Sequence, residues 1–118
     1  MGLDNHTVIL YGWKVDDSEK VAELIEKCEN INEDFWDDYV DEIFIDDSMC
    51  GNYFYFGAIL GDYDAEYDDE AEVIVNDELV KKSTAKYNKF IKENPEISKV
   101  FDEYKNGEAQ LYVFQHIW

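Results

Sequence analysis

Apolar positions along the chain change period several times, and each change predicts an element. In His6 to Val15, both alternating sets are apolar: Thr7, Ile9, Tyr11, Trp13, Val15 and Val8, Leu10, Gly12. A run apolar on both sides predicts a central strand covered, at least in part, on both faces. Asp16 stands three residues before Glu19, an acidic version of the capping box. Val21, Leu24, Ile25 and Cys28 follow at i, i+3, i+4, i+7, which predicts an amphipathic helix from about Asp17 to Asn30. Phe35, Trp36 and Tyr39 fit a short helix or turn facing the core. Val40, Ile43, Phe44 and Ile45 read as a strand ending in Asp46-Asp47.

Gly51-Asn52 has turn chemistry, and Tyr53 to Asp62 reads as a second long strand, hairpin-paired with the one before it. Gly57 and Gly61 inside it mark a bulge or a close backbone approach. Residues 62–72 form an acidic loop, and Val73, Ile74 and Val75 a short strand. Asn76 or Asp77 caps a helix carrying Leu79, Val80, Thr84, Tyr87, Phe90 and Ile91. Asn94-Pro95 ends it and opens another, with Ile97, Val100, Phe101 and Tyr104 on one face and Gly107 as its stop. Ala109 to Trp118 reads as a final strand. The expected fold class is α/β (α+β): one acidic domain over residues 1–118, a mostly antiparallel sheet of four or five strands with about three helices packed on it. Pairing of the first and last strands would tie the sheet together by both ends.

Composition changes the picture at one point, the charge. The 118 residues carry 29 Asp plus Glu against 10 basic residues, all Lys, for a formal net charge of -19. Hydrophobic residues at 46% argue against disorder despite that charge. A broad basic face for gripping nucleic acid is excluded. The two cysteines, Cys28 and Cys50, fit free thiols in a reducing cytosol better than a disulfide scaffold. The first fifteen residues lack a basic segment ahead of their apolar stretch, and no apolar run reaches the ~18 residues of a membrane span. The expectation is a cytoplasmic protein that does not engage a membrane.

The charge is also lopsided. Residues 1–78 hold 24 acids and 3 Lys, whereas residues 79–118 hold 5 acids and 7 Lys. One dense block is Glu33, Asp34, Asp37, Asp38, Asp41, Glu42, Asp46 and Asp47. The other is Asp62, Asp64, Glu66, Asp68, Asp69, Glu70 and Glu72. Glu19, Glu23, Glu26 and Glu29 line the outer side of the first helix. Such a surface repels itself, which interspersed Lys would relieve. Solubility alone does not need a charge this large or this one-sided, whereas an acidic face built to meet a basic one does. Tyr39, Tyr63 and Tyr67 lie in or beside the blocks, and Tyr is a favoured interface anchor. The candidate partner-binding residues are therefore Asp34, Asp37, Asp38, Tyr39, Asp41, Asp62, Tyr63, Asp64, Glu66, Tyr67, Asp68, Asp69 and Glu70. Phe35 and Trp36 fit the core better.

Motif-level chemistry is sparse. Asp62, Asp64, Glu66 and Asp68 alternate as calcium-loop ligands do, but the sixth and twelfth positions are Tyr67 and Val73 rather than Gly and Glu. His6 and His116 would meet only if the terminal strands are antiparallel neighbours, and no third metal ligand is evident beyond Asp4. The serines lack a nucleophile-elbow context, Cys50 has no basic group nearby in sequence, and phosphate-binding and dinucleotide fingerprints are missing. The acids crowd what read as exposed loops, with no sign of a pocket that would separate their pKa values. No catalytic residue, cofactor or metal is expected.

DNA carries about one negative charge per 1.7 Å of duplex axis. Carboxylates at same-face strand spacing (~6.6 Å) or at i, i+4 helix spacing (~5–6 Å) imitate part of such a line. In size and charge balance the chain resembles the small acidic inhibitors that phages make against host defences, the anti-CRISPR and anti-restriction proteins. Its Lys-only basic set and abundant Asn, Ile and Tyr are also similar to the product of an AT-rich phage or Firmicute gene. The resemblance covers size and composition and implies an inhibitor of DNA-mimic type in the host cytoplasm. Its partner would be a basic nucleic-acid-binding effector or nuclease, and it would not itself bind nucleic acid. Two rivals share the physics: an immunity protein or antitoxin that neutralises a basic nuclease toxin, and a non-inhibitory acidic binding module of a larger complex.

Overall fold

The computed structural model describes residues 5–47, 50–64 and 74–117. Eight elements follow in order: β1 (Asn5–Val15), α1 (Ser18–Ile31), α2 (Phe35–Tyr39), β2 (Phe44–Asp46), β3 (Phe54–Asp64), α3 (Asp77–Glu93), α4 (Pro95–Tyr104) and β4 (Gln110–Ile117). The strands form one sheet in the order β2-β3-β1-β4, with every neighbouring pair antiparallel. This is the expected α+β domain, with β2–β3 as the expected hairpin pair. The terminal strands do pair, from Asn5↔Ile117 to Gly12↔Gln110. The helix count exceeds the expected three by α2, little more than one turn.

β1 is central because both of its faces are used. Trp13 and Val15 join Phe44, Phe54, Phe56 and Ala58 on the face that α1, α2, α3 and α4 cover. There Phe35 stacks on Phe44 with centroids 4.8 Å apart, Phe44 on Phe54 at 5.0 Å, and Phe101 lies 4.6 Å from Phe56. Truncating one such fully buried ring typically costs about 3–5 kcal/mol. The opposite face has no helix among the described residues. Val8, Leu10, Ile45 and Tyr55 are buried there by Tyr53, Ile59, Tyr112 and Phe114. Tyr55 and Phe114 stack at 3.7 Å.

Gly57 explains how β1 and β3 fit together. Its φ is +145°, and a Cβ there would lie 2.4 Å from the Tyr11 carbonyl oxygen and 2.7 Å from the Gly12 Cα. Register Ile9↔Gly61 is followed by Leu10↔Ile59, so Leu60 is the extra residue of a bulge. The two expected roles for glycine here, close approach and bulge, thus fall to Gly57 and to the neighbourhood of Gly61.

Several boundaries differ from the sequence expectation. Asp17, rather than Asp16, caps α1 and accepts the N–H groups of Glu19 and Lys20 at 3.0 and 3.3 Å. β2 is three residues long, because Asp41 takes φ +64° and turns the chain, leaving Val40 only an isolated bridge to Phe44. Ile74 and Val75 form no strand; they are exposed and lead to the Asn76 cap, whose side chain accepts the Leu79 N–H at 2.9 Å. Val73 lies outside the described residues. α4 stops at Tyr104 with Lys105 as its cap, and Gly107 serves the turn beyond. Its carbonyl accepts the Trp13 indole N–H at 3.0 Å. Among the described residues, no helix is long and apolar enough to cross a membrane.

Candidate functional site

The first acidic block folds into α2, the turn after it, and β2. Phe35 drives this segment: it is the one fully buried residue of α2, and its ring fixes the helix on the sheet. Anchoring Phe35 inward leaves Asp34, Asp37 and Asp38 exposed. Asp41 follows at the left-handed position, which Asp tolerates better than most residues. The end of β3 then brings in Asp62, in register with Val8.

These two segments converge. Burial raises the Asp41 carboxyl above its ordinary range, the negative charge of Asp62 raises it further, and His6 pulls the other way. Asp41 and Asp62, twenty-one positions apart in sequence, therefore share one patch of field. His6 Nδ1 lies 2.7 Å from Asp62 Oδ1, so a histidine charge is available beside this carboxylate when protonated. On the α3 side, Lys86 reaches Glu42 at 4.0 Å. The acids of α1 are partly answered instead by Lys27, whose ammonium is 3.1 Å from Glu23 and 3.1 Å from Glu103 of α4.

The aromatic candidates behave differently. Tyr39 is half-buried, with its ring 4.6 Å from Phe90 and 6.2 Å from Phe35. Its hydroxyl accepts the Asn94 side-chain N–H at 3.5 Å. Tyr39 thus clamps α2 to α3, and its role is structural rather than that of an exposed anchor. Tyr63 is half-buried and pairs with Thr7 in the ladder. The backbone of Asp64 continues β3, in register with His6. Glu66, Tyr67, Asp68, Asp69 and Glu70 lie outside the described residues.

His6 and His116 face one another across β1 and β4, as antiparallel pairing requires. The His116 Nδ1 is 2.7 Å from the Tyr53 hydroxyl oxygen, and burial lowers the imidazole pKa against the opposing pull of Asp62. Among the described residues, no three His, Cys, Asp or Glu side chains are arranged to hold a metal ion. Cys28 is buried and its thiol pushed up to about 12, first by burial and then by Glu29, while Cys50 is exposed.

Asp46 and Asp47 read from the sequence as part of an exposed acidic block, whereas the structure turns them inward. Both are buried. Asp47 braces the following turn by accepting the Cys50 and Asn52 N–H groups at 3.2 and 3.1 Å. Asp46 lies on the helix-covered face next to Phe44, and burial followed by the charge of Asp47 pushes its carboxyl up to about 6. The signal was present in the chain: alternation puts Asp46 on the side of Phe44, not of Ile45. No protein-family model, curated protein or solved structure matches the chain.

Proposed function

We propose that the chain is a protein inhibitor that binds the basic nucleic-acid-binding surface of a bacterial defence effector, of anti-CRISPR or anti-restriction type, by DNA mimicry. One observation carries this reading. The fold sets Asp34 at the N-cap of α2, Asp37 and Asp38 on it and Asp41 after it, and brings Asp41 within electrostatic reach of Asp62 at the end of β3. Burial first and the charge of Asp62 second hold the Asp41 carboxyl above its ordinary pKa, so these two carboxylates, from separate parts of the chain, contribute to one negative field. A lysine- or arginine-lined groove that accepts phosphates would accept this array, and opposite charges at that density speed association and select the partner.

The test is affinity capture from a bacterial lysate, elution by a salt gradient, and competition on the retained protein with duplex nucleic acid. An inhibitor of this type retains a nuclease or DNA-binding effector, releases it at raised salt, and is displaced by the nucleic acid. Retention of a partner that saturating nucleic acid leaves in place contradicts mimicry. Retention of no basic protein contradicts the whole reading.

A further inference from the structure

The two edges of the sheet are built differently. β2, at one edge, is three residues long, ends in Asp46 and has Glu42 and Asp47 beside it in sequence. A short, charged edge resists pairing with a further strand. β4, at the other edge, runs for eight residues, Gln110–Ile117, and holds no acid, lysine, proline or glycine, in a chain of which 33% is charged. Its register with β1 is unbroken, and among the described residues no strand pairs with its outer side. Its side chains are uncovered as well. Leu111 lies beside Tyr11 and Val113 beside Ile9, on the face of β1 that carries Trp13. The helices stop short of this corner: Leu111 is 56% exposed, Val113 65% and Tyr11 45%. A long, uncharged, apolar edge is a template for another strand.

We propose that β4 pairs antiparallel with β4 of a second copy of this chain, across a two-fold axis, and joins the two sheets into one of eight strands. Charge selects the occupant. A basic partner finds no carboxylate on this strand and an acidic partner no lysine, whereas an uncharged strand matches it, and this chain carries one. At a net charge of -19, two copies repel each other over most of their surface. β4 lies in the part of the chain, residues 79–118, where 7 Lys face 5 acids, so approach here is opposed least. A two-fold contact is self-complementary. With Leu111 opposite Val113 of the second copy, Tyr112 lies opposite its own counterpart, and Tyr11, Leu111 and Val113 of both copies make one apolar stripe on the helix side. One strand pair and one stripe form a small contact, of the weak and reversible class below roughly 1,200 Å². The inference stands apart from the proposed function. β2 and β4 are opposite edges, so the acids around β2 stay at the two outer ends of the joined sheet.

Sedimentation equilibrium of the full chain, from about 10 to about 500 μM and at ~50 and ~300 mM salt, tests the pairing. The expected result is a monomer–dimer equilibrium whose dissociation constant falls several-fold as salt rises, because screening relieves repulsion between two anionic copies. Binding to a cationic partner responds to salt with the opposite sign, so the two readings fail separately. Val113→Lys puts a charge into the stripe of both copies, at a side chain exposed enough to leave the fold intact. It should weaken the dimer at least tenfold, even though it lowers the net negative charge. Ile74→Lys makes the same charge change at an exposed apolar position outside the sheet and should keep the constant within twofold. Hydrogen exchange at the two ends of the concentration range should show added protection confined to residues 110–117. A chain that stays monomeric throughout overturns the pairing, as does a dimer that survives Val113→Lys or that Ile74→Lys weakens equally. Protection of residues 110–117 that arises only in a captured complex would give the edge to a different protein and overturn it too.

Discussion

Asp46→Asn should make the protein more stable at neutral pH and leave it nearly unchanged in acid. The change is close to isosteric and removes one buried carboxylate. The Asp46 carboxyl moves from an ordinary 3.8 to about 6 on folding. At 1.36 kcal/mol per unit, a shift of about two units amounts to roughly 2–3 kcal/mol. The sign follows from proton binding. The folded state holds this proton more tightly than the unfolded one, so stability falls as pH rises from about 4 to about 6, and the full penalty persists above that. Asparagine does not titrate. Whatever the amide itself contributes is independent of pH, and the titration of His116 is common to both proteins and cancels. Urea unfolding of the two proteins at pH 4, 5, 6 and 7.5 should give a stability difference that grows by roughly 2–3 kcal/mol across the series. In melting temperature this is on the order of 10 °C for a chain of this length. Curves that stay parallel from pH 4 to 7.5 would refute the claim that burial, reinforced by the charge of Asp47, raises the Asp46 carboxyl.

Gly57→Ala should destabilise the fold by about 3–5 kcal/mol, because the new Cβ meets the Tyr11 and Gly12 backbone at a φ that favours glycine; chemical denaturation with a midpoint unchanged from wild type would be incompatible with that approach. Melting temperature should rise by several degrees between ~10 and ~200 mM salt, as screening relieves repulsion among the acids of residues 1–78. A flat melting temperature over that interval would mean the repulsion is already balanced. One thiol, Cys50, should react with a disulfide reagent in the folded protein and two after denaturation, since Cys28 is buried and held protonated; two fast-reacting thiols in the native state would contradict the packing of α1.

Long periodic segments carried their structure openly. Val21, Leu24 and Cys28 on α1 and Ile97, Val100 and Phe101 on α4 are buried as their spacing demands. β1 sits inside the sheet because both of its faces are apolar. Where the chain is short or turns tightly, the pattern had less to say. Val40 and Ile43 look like strand residues, but the positive φ of Asp41 breaks the run between them, and propensity does not encode that turn. Ile74 and Val75 are β-branched yet exposed, with no neighbouring strand to pair with among the described residues. The candidate site was legible as composition and only partly as geometry. The convergence of Asp41 with Asp62 depends on the turn at Asp41 and the register of the β2–β3 pair, neither of which composition encodes. The inward turn of Asp46 was readable from alternation, yet its place among six other acids in residues 33–45 made it look like surface. Tyr39 resembled an interface anchor because its neighbours in sequence are acids, whereas its neighbours in space are Phe35 and Phe90.

The claim on which the account turns is that carboxylates on and after α2 and at the end of β3 form the surface that meets a cationic partner. Amide hydrogen exchange on the captured complex, compared with the free chain, tests it directly. Added protection concentrated in residues 33–47 and 61–64 is the predicted result. Protection over the lysine-bearing α3 and α4, with those acidic segments exchanging as in the free chain, would contradict it.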